Sequence, residues 1–216
     1  MTSQPAPFVI GIDGPSGSGK SSVSRAVSTR LGAGYLDTGA MYRALTWWCR
    51  HTEVDLGDAD AIIAAALGLP LEIGDDPQAP TVAVDGTDVA VAIRTSEISS
   101  LVSTVATVPE VRVEMQRRQR ALIDDIAARH GACVAEGRDV TTVIAPEASV
   151  RILLTASEQA RLRRRSLEVH GATDEASIAA TRDQVVRRDR DDSTVSQFTE
   201  AADGVTVVDT SDLDFA

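Results

Sequence analysis

The 216-residue sequence predicts an α/β fold: a parallel sheet with helices on both faces, carrying a small antiparallel insert and two arginine-rich helices towards its end. Three observations carry that expectation. Short apolar runs of strand type alternate with amphipathic helical segments, the pattern of a sheet covered on both sides. Residues 69–94 break the alternation with three short β-type runs separated by turn residues. The first apolar run leads into Gly14-Pro15-Ser16-Gly17-Ser18-Gly19-Lys20-Ser21, which fits the phosphate-loop pattern G-x-x-x-x-G-K-[ST] at every fixed position.

Phe8–Ile12 is the first strand and Ser21–Leu31 the first helix. Strand, glycine loop and helix N-terminus is the order a polyphosphate cradle needs. Successive backbone N–H groups face the anion, and the helix end adds partial positive charge. Glycine serves where φ is positive or a side chain would block the phosphate. Lys20 would reach the terminal phosphates, the Ser21 hydroxyl would sit on Mg²⁺, and Ser22 extends the run against the phosphates. Lys20 is the sole lysine among 21 Lys+Arg. A compact ammonium is kept at the one place where arginine's broad fork would be a different object.

Tyr35-Leu36 is a short strand ending in the polar turn Asp37-Thr38-Gly39. Met41, Ala44, Leu45 and Trp48 then recur at helical spacing, and Asp58–Leu67 is an alanine-rich helix. The insert's β-type runs are Leu71–Ile73, Thr81–Val84 and Asp88–Val91, with turns at Gly74-Asp75-Asp76-Pro77 and Asp85-Gly86. Pro109-Glu110 opens a helix that runs to about Arg129. Ala132–Ala135 is a strand ending at Glu136-Gly137-Arg138-Asp139, and Val150–Leu154 is another. Ser157 starts a helix bearing Arg161, Arg163, Arg164 and Arg165. Thr173 reads as the N-cap of the last long helix, which runs into the 187–192 charge cluster, and Val205–Val208 is the last strand.

Composition narrows the function classes. A net charge of −11 and a pI near 4.7 leave nucleic acid and anionic membranes as unexpected partners. Cys49 and Cys133 stand alone, as core residues of a reducing compartment. No apolar run reaches the length of about 18 residues that a membrane helix needs. Met1–Pro7 lacks the layout of a signal segment. A cytoplasmic monomer is expected.

In a parallel sheet the ligand sits at the carboxyl ends of the strands. Four polar turns follow predicted strands: Gly14–Ser21, Asp37–Gly39, Glu136–Asp139 and Asp209–Ser211. At least three should share one crevice. Arg43, Arg94, Arg112, Arg138, Arg161, Arg165, Arg182 and Arg188 would suit a second anionic substrate. For the 161–165 and 187–190 clusters a solvated helix face is the alternative, and Arg188 to Asp192 also reads as an intrahelical ion-pair ladder. His51, His130 and His170 show no metal spacing. No histidine is placed to act as a base. A nucleoside monophosphate acceptor needs none, because its second pKa is about 6 and it is ionised at neutral pH. A hydroxyl acceptor would call on Asp13, Asp37 or Asp139, so a sugar or shikimate-type kinase stays open. No apolar run ends in the Asp-Glu pair of an ATPase, and an ATP-binding module without transfer is a third reading.

The segments Ile12–Ser21, Leu36–Arg43, Ile93-Arg94-Thr95, Arg117–Arg120, Glu136–Asp139 and Arg188-Asp189-x-x-Asp192-Ser193 together resemble the bacterial cytidylate kinases, in that family's order, over about Phe8 to Ser211. The resemblance implies transfer of the γ-phosphate of ATP, with Mg²⁺, to CMP or dCMP. It implies that Thr38, Ser103, Arg112 and Asp139 line the cytosine pocket. Arg43 and Arg138 would hold the acceptor phosphate with Tyr42 beside them, and Arg188 and Asp192 would reach the ribose. Lys20, Arg138, Arg161, Arg165 and Arg188 would be catalytic, and Asp37 a candidate for the outer shell of the metal. It divides the chain into a core (8–68, 105–158 and 203–216), a monophosphate-binding insert (69–104) and a helical lid (159–195). The chain departs from that pattern at Val195, where the family has an arginine, and at Thr199-Glu200, where it has Pro-Leu. No arginine follows Arg190. The chain stops at Ala216, where the family adds a helix.

Overall fold

The computed structural model describes residues 8–213, except the side chains at positions 183, 184 and 188. The Met1–Pro7 lead-in, the last three residues and the Arg188 side chain therefore lie outside the described residues. Strand β1 (Phe8–Asp13) is followed by α1 (Lys20–Leu31), β2 (Gly34–Asp37), α2 (Thr38–His51) and α3 (Ala59–Leu67). Three short strands come next, β3 (Leu71–Ile73), β4 (Val82–Val84) and β5 (Thr87–Asp88). Then follow α4 (Ser96–Ala106), α5 (Pro109–His130), β6 (Ala132–Gly137), β7 (Val150–Thr155), α6 (Glu158–His170), α7 (Glu175–Ser193) and β8 (Thr206–Asp209).

Five strands form one sheet in the order β2-β6-β1-β7-β8, and every neighbouring pair is parallel. Its two faces separate by the period-two alternation of strand side chains. Val9, Leu36, Cys133 and Ala135 pack with Ile123 and Ile126 of α5. Their sequence neighbours Ile10, Ile12 and Val134 pack on the other face with Val23 and Val27 of α1. Strands buried on both faces are apolar throughout, which is why β1 and β6 read as continuous runs.

β3, β4 and β5 form a separate antiparallel sheet. It packs on α2, α3 and α4 around Met41, Leu45, Ile62, Val84 and Val102. The loop after β3 is tied to the core. Tyr35 N–H donates to Asp75 O, Arg25 donates to Pro77 O and Gln78 O, and Arg129 pairs with the Asp75 carboxylate.

Three local expectations change. The third run of the insert is strand only at Thr87–Asp88, with Val89 N–H adding a bond to Val82 O; beyond it the chain enters a 3₁₀ turn, Ala92–Arg94, and leaves Val91 in solvent. The last long helix is capped by Asp174, not Thr173, because the Asp174 carboxylate accepts both the N–H and the hydroxyl of Ser177. Asp37-Thr38-Gly39 is not a free turn: Asp37 ends β2 and caps α2 through Ala40 N–H, so Thr38 is already helical. Helix α4 was hidden by its serines, though Thr95 caps it and Ile98, Val102 and Val105 form its buried stripe. Cys49 and Cys133 are free and buried, as expected.

Candidate active site

A cavity of about 810 Å³ opens at the carboxyl edge of the parallel sheet. All four polar turns reach it. Its wall includes Ser16–Ser22, Asp37, Gly39, Glu136–Arg138 and Thr210, with Arg43, Arg94 and Arg165 facing in and Ile73, Thr81 and Val82 of the small sheet opposite.

The phosphate loop is set by its glycines. Gly17 has φ +77°, and a Cβ there would meet the Arg161 carbonyl oxygen at 2.6 Å. The first turn of α6 thus lies directly on the loop. Gly19, at φ +89°, turns the chain into α1. Lys20 Nζ donates to Pro15 O at 2.9 Å, which folds the ammonium back over the loop.

Ser21 lies in the first turn of α1, and its hydroxyl donates to Glu136 Oε2 at 3.1 Å. Tyr35 donates to the other oxygen of that carboxylate, and Thr38 Oγ1 donates to the Glu136 carbonyl at 2.7 Å. Glu136 is buried at the end of β6, in the strand beside β1. Burial and then Asp37 push its carboxyl up to about 7, against the pull of Lys20. Because the Ser21 proton is committed to Glu136, the serine's lone pairs are left for a cation. A serine hydroxyl beside a carboxylate, at the end of a phosphate loop, is the hard-oxygen set that suits Mg²⁺, which takes few protein ligands and completes its shell with phosphate and water.

On the other flank, Arg138 is the hub. Its Nη1 lies 2.8 Å from Asp189, its Nη2 lies 3.0 Å from Asp192, and its Cζ stands 4.1 Å above the Phe198 ring. Arg161 donates to Ser16 O at 3.0 Å and pairs with Asp189, whose carboxylate also accepts Ser16 N–H at 3.1 Å. Burial alone would raise the Asp189 carboxyl, but Arg138, the Ser16 N–H and Arg161 outweigh it and hold it below the usual carboxylate range.

Deeper in, Arg112 Nη2 pairs with Asp139 at 2.5 Å and donates to Ser196 Oγ at 3.0 Å. Gln116 also reaches Asp139, and Ser103 donates to Asp192. Burial raises the Asp139 carboxyl, opposed chiefly by Arg112. The Tyr42 hydroxyl is buried beside Asp139, Arg112 and Asp192, without a hydrogen-bond partner among the described residues. These groups close on one another at the flank of the cavity; they are not part of its wall.

The expected residues therefore fall into place unevenly. Gly14 to Ser22, Arg43, Arg138 and Arg165 are at or beside the cavity. Arg43 is buried and donates to Ser99 Oγ at 2.7 Å. Tyr42, Ser103, Arg112, Asp139 and Asp192 form the adjoining polar cluster, whereas Thr38 is bonded to the Glu136 carbonyl. Arg182 pairs with Glu158 on an exposed helix face and joins neither group. The charge run at the end of α7 is not simply a ladder along the helix, since Asp189 and Asp192 both reach across to Arg138. Asp13 cannot serve as a base, because it is buried and accepts from Val140 N–H, Thr141 N–H and the Thr141 hydroxyl. Asp37 is engaged by the α2 cap and by Arg94 at 3.2 Å.

The cytidylate kinase family model matches residues 10–216. The cytidylate kinase of Streptomyces avermitilis is 49% identical over 207 residues, spanning 95% of this chain and 86% of that one. Those of Cutibacterium acnes and Nocardia farcinica are each 48% identical, over 210 and 213 residues, and cover 91% and 90% of the respective relatives. The chain belongs to the cytidylate kinase family. It is thus of the nucleoside monophosphate kinase class. Glu136 reads in the sequence as part of a polar turn, but its position at the end of an apolar strand is the available sign of a carboxylate facing the phosphate loop. Asp189 stands in the Arg188-Asp189-x-x-Asp192-Ser193 motif but has no role assigned from it, and no local pattern marks Phe198.

Proposed function

We propose that this protein transfers the γ-phosphate of ATP to CMP or dCMP, giving the diphosphate. The observation that carries the reading is that one cavity joins the phosphate loop to inward-facing arginines, so two anions can be brought end to end. The loop amides and Lys20 hold the triphosphate, and the α1 N-terminus favours its charge. Ser21 would hold Mg²⁺, with Glu136 orienting the hydroxyl, and the ion would supply neutralisation of the phosphate charge. Arg43 and Arg138 hold the acceptor phosphate. Arg161, Arg165 and Arg188 belong to a lid made of α6 and α7, which brings cationic groups over the transferring phosphoryl group. The acceptor is already ionised, so positioning and charge neutralisation suffice and no base is required.

Asp139, with Arg112, Thr38 and Ser103, reads the base. Its carboxylate accepts from the exocyclic amine of cytosine. Uracil places a carbonyl there, so two acceptors would face each other unpaired. Tyr42 lies beside the same cluster, and Asp192 reaches the ribose. The three-stranded sheet and its flanking turns act as the monophosphate-binding insert. No helix of the described residues is long and apolar enough to cross a membrane, and we take the enzyme to be a cytoplasmic monomer acting on small nucleotides alone.

A coupled assay with ATP, Mg²⁺ and a panel of CMP, dCMP, UMP, AMP and shikimate tests this. The cytidine nucleotides should turn over with kcat/KM at least about tenfold above the others. Turnover with another acceptor but not with CMP would reject the reading, and ATP binding without transfer to any acceptor would leave only a binding module.

A further inference from the structure

Phe198 heads the fully buried side chains by size, yet it belongs to none of the three apolar clusters among the described residues. It sits in the irregular segment between α7 and β8. Its ring faces the Arg138 guanidinium, 4.1 Å from Cζ to the ring centroid. A guanidinium has a flat face without donors and a rim of N–H groups. The ring takes the face. The rim is left for Asp189 at 2.8 Å, Asp192 at 3.0 Å and the Gly14 carbonyl at 3.5 Å. An acceptor phosphate on Arg138 would compete for that same rim, so the carboxylate contacts are the exchangeable ones. The contact on the face survives the exchange. No lysine or arginine follows Arg190, so this segment supplies no cation of its own; it supplies the aromatic surface against which one is held.

We propose that Phe198 is a positioning residue for phosphoryl transfer: its ring holds Arg138 in the plane from which the guanidinium rim meets the acceptor phosphate. This rests on the reading of Arg138 as a phosphate-binding group. Without the ring the arginine samples other rotamers, and the freedom lost on binding CMP grows. The signature is a selective loss of acceptor affinity.

The test compares Phe198→Leu, which keeps an apolar side chain and removes the π face, with Phe198→Tyr, which keeps the ring. Loss of a desolvated cation–π contact predicts that Phe198→Leu raises KM for CMP by about five- to thirtyfold. KM for ATP should stay within about twofold, and Phe198→Tyr should remain close to the parent. In an Arg138→Met background, Phe198→Leu should add nothing, since the pair acts as one unit. Equal losses for CMP and ATP, equal behaviour of the Leu and Tyr variants, or an effect that adds to Arg138→Met would each overturn the proposal. If Phe198→Leu does not fold, Phe198→Met takes its place, filling the volume with a flexible chain. Should Arg138→Met itself leave KM for CMP unchanged, the functional reading beneath fails instead, which separates the two failures.

Discussion

Replacing Asp139 with asparagine tests the base reading and the energetics of the buried pair in one variant. The Asp139 side chain is 7% exposed, that of Arg112 is 14% exposed, and they meet at 2.5 Å. Removing one partner of a buried ion pair costs about 3–5 kcal/mol, because the other charge stays behind. Asparagine is nearly isosteric and its carbonyl still accepts from Arg112, so the loss falls to the value of a charge-assisted bond, about 1.5–3 kcal/mol. In a domain of this size that lowers Tm by roughly 3–12 °C. The effect on base choice is separate. The amide can donate to the uracil carbonyl, which relieves an acceptor–acceptor contact worth about 1–3 kcal/mol and narrows the CMP-over-UMP ratio of kcat/KM by roughly 5- to 150-fold. Replacing the whole pair, Arg112→Met with Asp139→Leu, should restore much of the Tm while leaving base discrimination lost, since paired burial adds little over apolar packing. The assay is coupled turnover with each monophosphate at saturating ATP, beside calorimetry. A folded Asp139→Asn enzyme whose CMP preference stays within twofold of the parent would remove Asp139 from base reading, and an unchanged Tm would refute the buried-pair account.

Three further outcomes follow from single features. Gly17→Ala forces a side chain into φ +77° and into the Arg161 carbonyl, so it should abolish tripolyphosphate binding by calorimetry while α1 persists by circular dichroism; unaltered affinity would mean the loop tolerates that shift. Arg117, with help from Arg118 and against partial burial, holds the Glu114 carboxyl down to about 2 from 4.5. A depressed carboxylate stabilises the fold above its ordinary pKa and loses that contribution as pH falls towards the folded value. Glu114→Gln should therefore lower Tm at neutral pH, and the gap to the parent should shrink progressively as pH falls from about 4.5 towards about 2; a gap independent of pH contradicts this. Burial pushes the Cys49 thiol up to about 11 and Cys133 up to about 12, so iodoacetamide should label neither in the native state at neutral pH and both after unfolding, as read by intact mass.

What could be read from the residues, and what could not, divides by sequence separation. The phosphate loop is contiguous, so its glycines, Lys20 and Ser21 announce themselves, and the caps at Asp58 and Ser157 are equally local. The partners that complete the site are not local. Ser21 finds Glu136 from 115 positions away, and Ser16 finds Asp189 from 173. The end of α7 shows why spacing alone misleads. Alternating charges there predict pairing along the helix, and among the described residues of that run the exposed Arg190 and Asp191 do lie 3.6 Å apart. An exposed pair is worth little. Asp189 instead faces inward, where Arg138 and Arg161 are each only 14% exposed and Ser16 N–H has no strand or helix partner to take it. Once burial has removed water from those three donors, each requires an acceptor, and an inward carboxylate satisfies all of them together at less cost than leaving any one unmet. Helix α7 is therefore seated by the unmet needs of the loop and the arginines, and under the proposed function the same needs make that spot one where a phosphate would displace it.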